Sequence, residues 1–279
     1  MRLLVTNDDG IDSLGLHALA NVMRPFGEVT VVAPATEYSG AGASLGTLTF
    51  EDPVARRVEV EALAGLDTWS ITGPPALCVM HAQLGAFGDP FDLIVSGINP
   101  GQNVGWSVYH SGTIGAALTG RNRGTSGLAV SIGFNGKEVE GQTWPEIVAG
   151  MNWDTAATVA AKVVDGMLAE PSTKPVVINC NVPNKDLAEL DGWSLAAVGT
   201  DPPRKLVTSK LREDGTDEDG ERFRLRMDWG TKGEAEPGTD AYLVRNRTVS
   251  MTWLGDLCET TPEPDHHDAI AGRLDELLA

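Results

Sequence analysis

Short apolar, β-branched runs alternate with helically spaced apolar stretches through the first two-thirds of the chain, and this alternation limits the fold more than any other feature. Arg2–Thr6 (RLLVT), Glu28–Ala33 (EVTVVA), Phe91–Ser96 (FDLIVS), Leu128–Ile132 (LAVSI) and Pro175–Cys180 (PVVINC) each have the pattern of a buried strand. Thr68–Thr72 is a further strand. Between the first two strands, Leu16, Leu19, Ala20, Met23 and Phe26 recur at helical spacing, and Gly27 stands where such a helix stops. Helices are predicted over Pro75–Ala86, Gly112–Arg123 and Asp154–Leu168 as well. Strands that are apolar on both faces and separated by helices predict an α/β fold, a mostly parallel sheet with helices on both faces.

This pattern holds to about Pro183 and then changes. Asp201–Asp240 is dense in charge and interspersed with Gly215, Gly220, Gly230 and Gly233. Within it Arg222–Trp229 alternates polar and apolar residues, as a half-exposed antiparallel strand does. Thr248–Leu254 predicts one more strand and Asp265–Leu278 a terminal helix. The 279 residues therefore divide into a core over 1–185 and a β-rich extension with a helix over 186–279, which is not an independent domain.

Charge narrows the partners. A formal net charge of −18 repels nucleic-acid polymers, whose non-specific binding needs Lys and Arg to neutralise phosphates. An anionic substrate would have to be drawn in by a local device: a metal, a helix N-terminus or a few cations. No apolar run approaches the roughly 18 residues that span a bilayer, so no membrane partner is expected. The N-terminus lacks the basic and apolar regions of a signal peptide, and a cytoplasmic location is the expectation. Cys78, Cys180 and Cys258 are far apart and odd in number, with no C-x-x-C spacing, so they are expected to be reduced and buried.

Several predicted strands end in polar or Gly-rich signals on one side of the sheet: Asn7-Asp8-Asp9-Gly10, then Pro34 followed by Ser39-Gly40, then Gly97-Ile98-Asn99-Pro100-Gly101 with Asn103, and lastly Asn179 and Asn181. Ligands of open parallel sheets bind outside the carboxyl ends of the strands, so these segments should converge. Two adjacent aspartates at a strand end raise each other's pKa unless a cation lies between them. With an oxygen each from Ser39 and Asn99 they would make an all-oxygen shell suited to a hard divalent cation. Taken alone, Asp8-Asp9-Gly10 reads first as a turn that caps the next helix, since D-G is a strong turn signal. Ser111-Gly112-Thr113 opens a helix, which is either an anion site of backbone N–H groups or an ordinary Ser cap with small residues for close packing. An anion site beside a cation site is what phosphoryl chemistry requires.

Other catalytic readings have less behind them. His110 beside Ser111 suggests a nucleophile pair, but no G-x-S-x-G elbow exists. His266 and His267 read as a solvated pair, and His17 and His81 as surface or packing residues on helices. Neither a Walker A sequence nor a G-x-G-x-x-G after a strand is present. The alternating Arg222, Arg224 and Arg226 fit one exposed strand face in acidic surroundings.

The segment Val5–Ser13 (VTNDDGIDS) followed by Gly15-Leu16 resembles the opening of the SurE family, the stationary-phase survival proteins, which are metal-dependent 5′/3′-nucleotidases. The likeness continues in Ala33-Pro34 with Ser39-Gly40, in Ser96-Gly97-Ile98-Asn99 with Gly101 and Asn103, and in Ser111-Gly112-Thr113. Weaker echoes are Asn179-x-Asn181-x-Pro183, Gly238-Thr239-Asp240 and Val249-Ser250-x-Thr252. The resemblance implies a Rossmann-like core with a hairpin extension, and one divalent metal per subunit, Mg²⁺ or Mn²⁺, with Ca²⁺ able to replace it in a crystal. It implies Asp8, Asp9, Ser39 and Asn99 as metal ligands, Asp8 and Asp9 as the catalytic pair, and Asn103, Ser111, Gly112 and Thr113 as phosphate contacts. It further implies hydrolysis of nucleoside monophosphates, and homodimers or homotetramers built through a C-terminal hairpin and arm, with the charged stretch Arg204–Glu236 as the candidate hairpin. Trp106, Ser107 and His110 stand where the family usually has an acidic pair and a Tyr. Pro74 and Leu77 depart from a usual Gly-Thr-Pro-Ala-Asp-Cys, Thr119 replaces an acidic residue, and Trp253 replaces a Pro. These departures leave two alternatives in view: a phosphatase of the same mechanism for a sugar phosphate or biosynthetic intermediate, and a non-catalytic metal- or nucleotide-binding protein.

Overall fold

The computed structural model describes residues 1–46, 52–133, 142–200 and 204–256, and the positions 264, 270, 271, 273 and 274. The predicted terminal helix, Cys258 and the pair His266 and His267 lie outside the continuously described residues.

In chain order the elements are β1 (Arg2–Thr6), α1 (Leu14–Met23), β2 (Glu28–Pro34), β3 (Ala55–Arg57), β4 (Asp67–Ile71), α2 (Pro75–Gln83), β5 (Leu93–Pro100), α3 (Gly112–Asn122), β6 (Ser126–Gly133), α4 (Trp144–Ala149), α5 (Trp153–Ala169), β7 (Val177–Pro183), β8 (Trp193–Leu195), β9 (Arg204–Asp217), β10 (Gly220–Lys232), α6 (Asp240–Arg245) and β11 (Val249–Leu254). Nine strands form one sheet in the order β3-β4-β2-β1-β5-β6-β7-β11-β8. The six from β4 to β7 run parallel, while β3 and β11 run antiparallel to their inner neighbours. The α/β reading therefore holds, with a mixed sheet that is mostly parallel. Among the described residues, β9 and β10 pair only with each other.

Burial on both faces explains the apolar runs. Leu3 and Val5 of β1 point into a core with Leu16 and Leu19 of α1 and with Ala156, Ala160 and Val164 of α5. Leu4, between them, points the other way, to Cys78 and Val79 of α2 and Ala116 of α3. Full burial of a side chain of this size contributes about 1.5–3 kcal/mol, so the double-sided packing of β1 makes it the anchor of the sheet.

The chain leaves β1 for β2 on one side and returns to β5 on the other, which makes β1/β5 the switch point of the sheet. The helices sort unevenly around it. The β1–α1–β2 and β5–α3–β6 crossovers share one hand, but the β6–α5–β7 crossover has the opposite hand, because α5 lies beside α1 and not beside α3. Crossovers of parallel strands are overwhelmingly of a single hand, so this is an exception, and it brings α5 to the lip of the switch point.

β5 runs further than the sequence pattern predicts. The break expected at Gly97 is a β-bulge, where the four residues from Ser96 to Asn99 stand against three of β6, from Ala129 to Ser131. A side chain on Gly97 would strike the Val130 carbonyl, so the close backbone approach requires glycine. The extra residue turns Ile98 into the α1-side core and brings Asn99 to the face of Ser96. Short elements without a strong period, β3, β8, α4 and α6, were not legible in the sequence, whereas β9 and β10 form an antiparallel hairpin within the stretch Arg204–Glu236 expected to carry one.

Candidate active site

At the end of β1 the turn and the helix cap are made by residues other than the aspartates. Asn7 Nδ2 donates to the Gly10 carbonyl (3.0 Å) and to Ser13 Oγ (2.7 Å). Ser13 Oγ in turn accepts from Leu16 N–H at the start of α1 (3.3 Å). Gly10 has φ of +98°, a conformation that favours glycine. Asn7, Gly10 and Ser13 thus do what the capping reading assigned to Asp8 and Asp9, and both carboxylates are left for another purpose.

Asp8 is almost wholly buried, and its Oδ1 accepts from Thr113 Oγ1 at 2.6 Å. Burial raises its pKa, while the Thr113 hydroxyl and the Thr113 and Gly112 amides at the start of α3 pull the other way. Gly112 sits hard against it: an added Cβ would lie 2.7 Å from Asp8 Cβ and 2.8 Å from Oδ2. Burial also pushes Asp9 up, to about 8, with the charges of Asp8 and Glu37 adding to the shift. Asp9 Oδ2 is buried with no hydrogen-bond partner. A buried carboxylate oxygen with nothing to accept, beside two further carboxylates, is costly unless a cation faces it.

The loop after β2 is fastened at both ends of its turn. Tyr38 N–H donates to the Asp8 carbonyl (2.7 Å), and Gly42 N–H donates to the His110 carbonyl (3.0 Å). Ser39 lies between those ties, and its Oγ donates to Glu37 Oε1 (2.7 Å), which leaves the hydroxyl oxygen able to accept. Asn99 Nδ2 donates to the Gly101 carbonyl (2.5 Å), so the side-chain oxygen is the atom left to act as a ligand. Asp8, Asp9, Ser39 and Asn99 therefore come from the ends of three neighbouring strands, β1, β2 and β5, at the switch point. Among the described residues no cluster of three or more His, Cys, Asp or Glu is arranged to hold a metal. Two carboxylates with neutral oxygens fit a hard divalent cation, and the partnerless Asp9 Oδ2 is the atom such an ion would satisfy.

The predicted anion side is more structural than the sequence pattern suggests. Ser111 Oγ caps α3 by accepting from Ile114 N–H (3.2 Å), and Thr113 Oγ1 is committed to Asp8. What remains for an anion is the positive end of an 11-residue helix, whose Gly112 and Thr113 amides already act on Asp8. Asn103 is turned inward: its Nδ2 donates to Ser131 Oγ (2.9 Å), its N–H to Asn181 Oδ1 (2.8 Å), and its carbonyl accepts from Asn179 Nδ2 (2.9 Å). It braces the loop that carries Trp106, Tyr109 and the exposed His110.

Comparison with known proteins identifies the family. The family model described as survival protein SurE matches residues 3–204. A protein of Aliivibrio fischeri named 5′-nucleotidase SurE is 34% identical over 255 residues, covering 91% of this chain and 88% of its own. The chain belongs to the SurE family. A second protein of that name, from Halorhodospira halophila, is 34% identical over 252 residues, 90% of each chain. The crystal structure of a SurE protein from Aquifex aeolicus superposes with a TM-score of 0.71 at 30% identity, covering 93% of this chain and 95% of that one.

Some parts of the crevice carried little or no sequence signal. Asp240 is fully buried and accepts from Gly105 N–H (2.9 Å), Gly199 N–H (3.1 Å) and Ala241 N–H (2.8 Å), so it ties the Asn103–Ser111 loop to the extension. Its motif, Gly238-Thr239-Asp240, is a faint echo of the family, but the loop it holds lies 135 residues away. Glu37 in a polar loop, and Trp144 and Trp153 at the starts of α4 and α5, have no spacing that points to a site. His17 and His81 stand apart from the crevice, on α1 and α2; His17 Nε2 pairs with the Ile11 carbonyl (2.8 Å). Burial pushes the Cys180 thiol up to about 12 and raises Cys78 as well; both are free and buried, as expected.

Proposed function

We propose that this SurE-family chain is a phosphoric monoester hydrolase that acts on nucleoside 5′- and 3′-monophosphates with one divalent metal, Mg²⁺ or Mn²⁺, per subunit. The observation that carries the reading is the buried, partnerless Asp9 Oδ2 next to Asp8 at the switch point. The A. fischeri and H. halophila relatives are named 5′-nucleotidases, which supports the 5′-monophosphate part of this substrate class. Asp8, Asp9, Ser39 and Asn99 would hold the metal, whose chemistry is to polarise a phosphoryl oxygen and to acidify water.

The remaining work belongs to the protein. The positive end of the α3 dipole stabilises charge on the phosphate oxygens, while the Gly112 and Thr113 amides there favour the ionised form of Asp8. Thr113 holds Asp8 in place through the 2.6 Å hydrogen bond. Ser111 and Asn103 keep the helix start and the preceding loop rigid, so the donors need not reorganise during the reaction.

Residues 1–185 form the metal- and phosphate-binding core, and 186–279 serve oligomerisation as a homodimer or homotetramer. The β9–β10 ribbon supports this second assignment, because an isolated two-stranded ribbon is marginal in water and this one exposes Val207, Leu211, Leu225 and Met227. No helix among the described residues is long and apolar enough to cross a membrane. The buried, reduced thiols suit a cytoplasmic setting.

The test is a panel of nucleoside monophosphates, sugar phosphates and p-nitrophenyl phosphate with Mn²⁺ or Mg²⁺, run on the native chain and on Asp8→Asn plus Asp9→Asn. Nucleoside monophosphates should lead, and the double variant should lose activity roughly a thousandfold or more while keeping its circular dichroism spectrum. Preference for a sugar phosphate, tight binding without phosphate release, or undiminished turnover by the double variant would each refute the reading.

A further inference from the structure

Beside Asp9, on the α1 and α5 side of the switch point, lies a cavity of about 140 Å³ whose lining includes Asp9, Glu37, Pro100, Trp144 and Trp153. It exists because α5 crosses on the exceptional face. Trp153, the first residue of α5, packs over Gly15 so closely that a Cβ there would lie 2.9 Å from the indole ring. The Trp153 Nε1–H is spent on the Val148 carbonyl of α4 (3.0 Å), which fixes the ring and leaves no donor on it. Trp144, at the start of α4, is half exposed at the rim.

Size and chemistry together limit what can enter. Whole-ligand pockets occupy about 300–1,000 Å³, so this cavity admits one ring system while the rest of the molecule stays outside it, near Asp8 and Asp9. Indole walls favour a flat ring by stacking. The charged groups on the lining are carboxylates, and an ionised carboxylate only accepts hydrogen bonds. Glu37 uses Oε1 for Ser39, and its other oxygen remains for a donor on the ring.

We infer that this cavity receives the base of the nucleotide and that Glu37 selects bases carrying an exocyclic amino group over those carrying a carbonyl at that position. The inference rests on the nucleotidase reading above. Cytosine offers an amino donor at position 4 where uracil offers a carbonyl acceptor, and a Glu carboxylate accepts from the first and repels the second.

CMP and UMP differ at that one group, so the experiment measures kcat/KM for both on the metal-loaded native chain and on Glu37→Gln. CMP should be preferred by about tenfold or more, and Glu37→Gln should bring the ratio close to one. Both substrates are read on the same preparation, so altered metal loading or partial misfolding of the variant cancels in the ratio. In Trp144→Ala the kcat/KM of CMP relative to glycerol phosphate should fall about tenfold. Equal use of CMP and UMP by the native chain, or a preference that survives Glu37→Gln, overturns the inference and leaves the nucleotidase standing. Hydrolysis of glycerol phosphate with neither nucleotide overturns both. A loss of nucleotide affinity in Trp106→Ala but not in Trp144→Ala would put the base on the exposed turn before Ser111 and refute the cavity as its site.

Discussion

Gly112 and Asp8 share a space with no room for a methyl group between them. Gly112→Ala must push either the Asp8 carboxylate or the start of α3 aside, at a cost of about 1–3 kcal/mol in a packed interior. Its expected signature is a lower melting temperature together with weaker Mn²⁺ binding by calorimetry; a variant with native metal affinity would show that the contact does not hold Asp8. Asp9 gives a pH-dependent counterpart. Its folded pKa is raised from 3.8 to about 8 without metal, so between those values the folded chain keeps a proton that the unfolded chain has lost. Stability of the metal-free protein should therefore fall as pH rises across that interval and level off above it. Metal must displace the same proton, so apparent affinity should climb over the same range. Melting curves in EDTA and in Mn²⁺ check both slopes, and Asp9→Asn should flatten the first. The sequence made the Asp8–Asp9 pair conspicuous because adjacency is visible in a string of letters. It could not reveal that Thr113 and Gly112 serve the carboxylate as much as any anion, since that depends on an approach between residues 105 positions apart.

Among the elements, legibility followed periodicity. β1, β2, β6, β7, α1 and α5 are long enough, and buried evenly enough, for their apolar period to show. The bulge in β5 was invisible because Gly97-Ile98-Asn99 reads locally as a loop; only pairing with β6 keeps it in the sheet and re-aims Asn99. α6 is six residues long and matters for one atom group, the Asp240 carboxylate. Asp240→Ala would leave the Gly105 and Gly199 amides buried and unpaired, costing about 3 kcal/mol or more. The melting temperature should drop on the order of 6–10 °C. KM should rise with it, since the Gly105–Tyr109 turn loses its tie to the extension. Asp240→Asn keeps one acceptor oxygen and should fall between the two. A variant that melts like the native chain would refute the bracing role of Asp240.

Over the whole molecule, the acidic charge of −18 and the exposed apolar residues of the β9–β10 ribbon make opposite demands. Charge keeps copies apart, while Leu211 and Leu225, paired across the ribbon and well exposed, call for a cover. The double substitution Leu211→Glu with Leu225→Glu should reduce the assembly measured by sedimentation and leave the melting of the core nearly unchanged. An unaltered mass would show that the ribbon is not the contact. The opposite-handed β6–α5–β7 crossover has a consequence in time. Asp8, Asp9, Ser39 and Asn99 all leave the ribosome before Trp153, which at about 5–20 residues per second follows Asn99 by roughly 3–10 seconds. During that interval the first five strands of the sheet can pair, and the carboxylates stand at an edge open to water. The wall beside Asp9 closes afterwards, over turns already made, so the crevice is finished by a late arrival from the far half of the sheet.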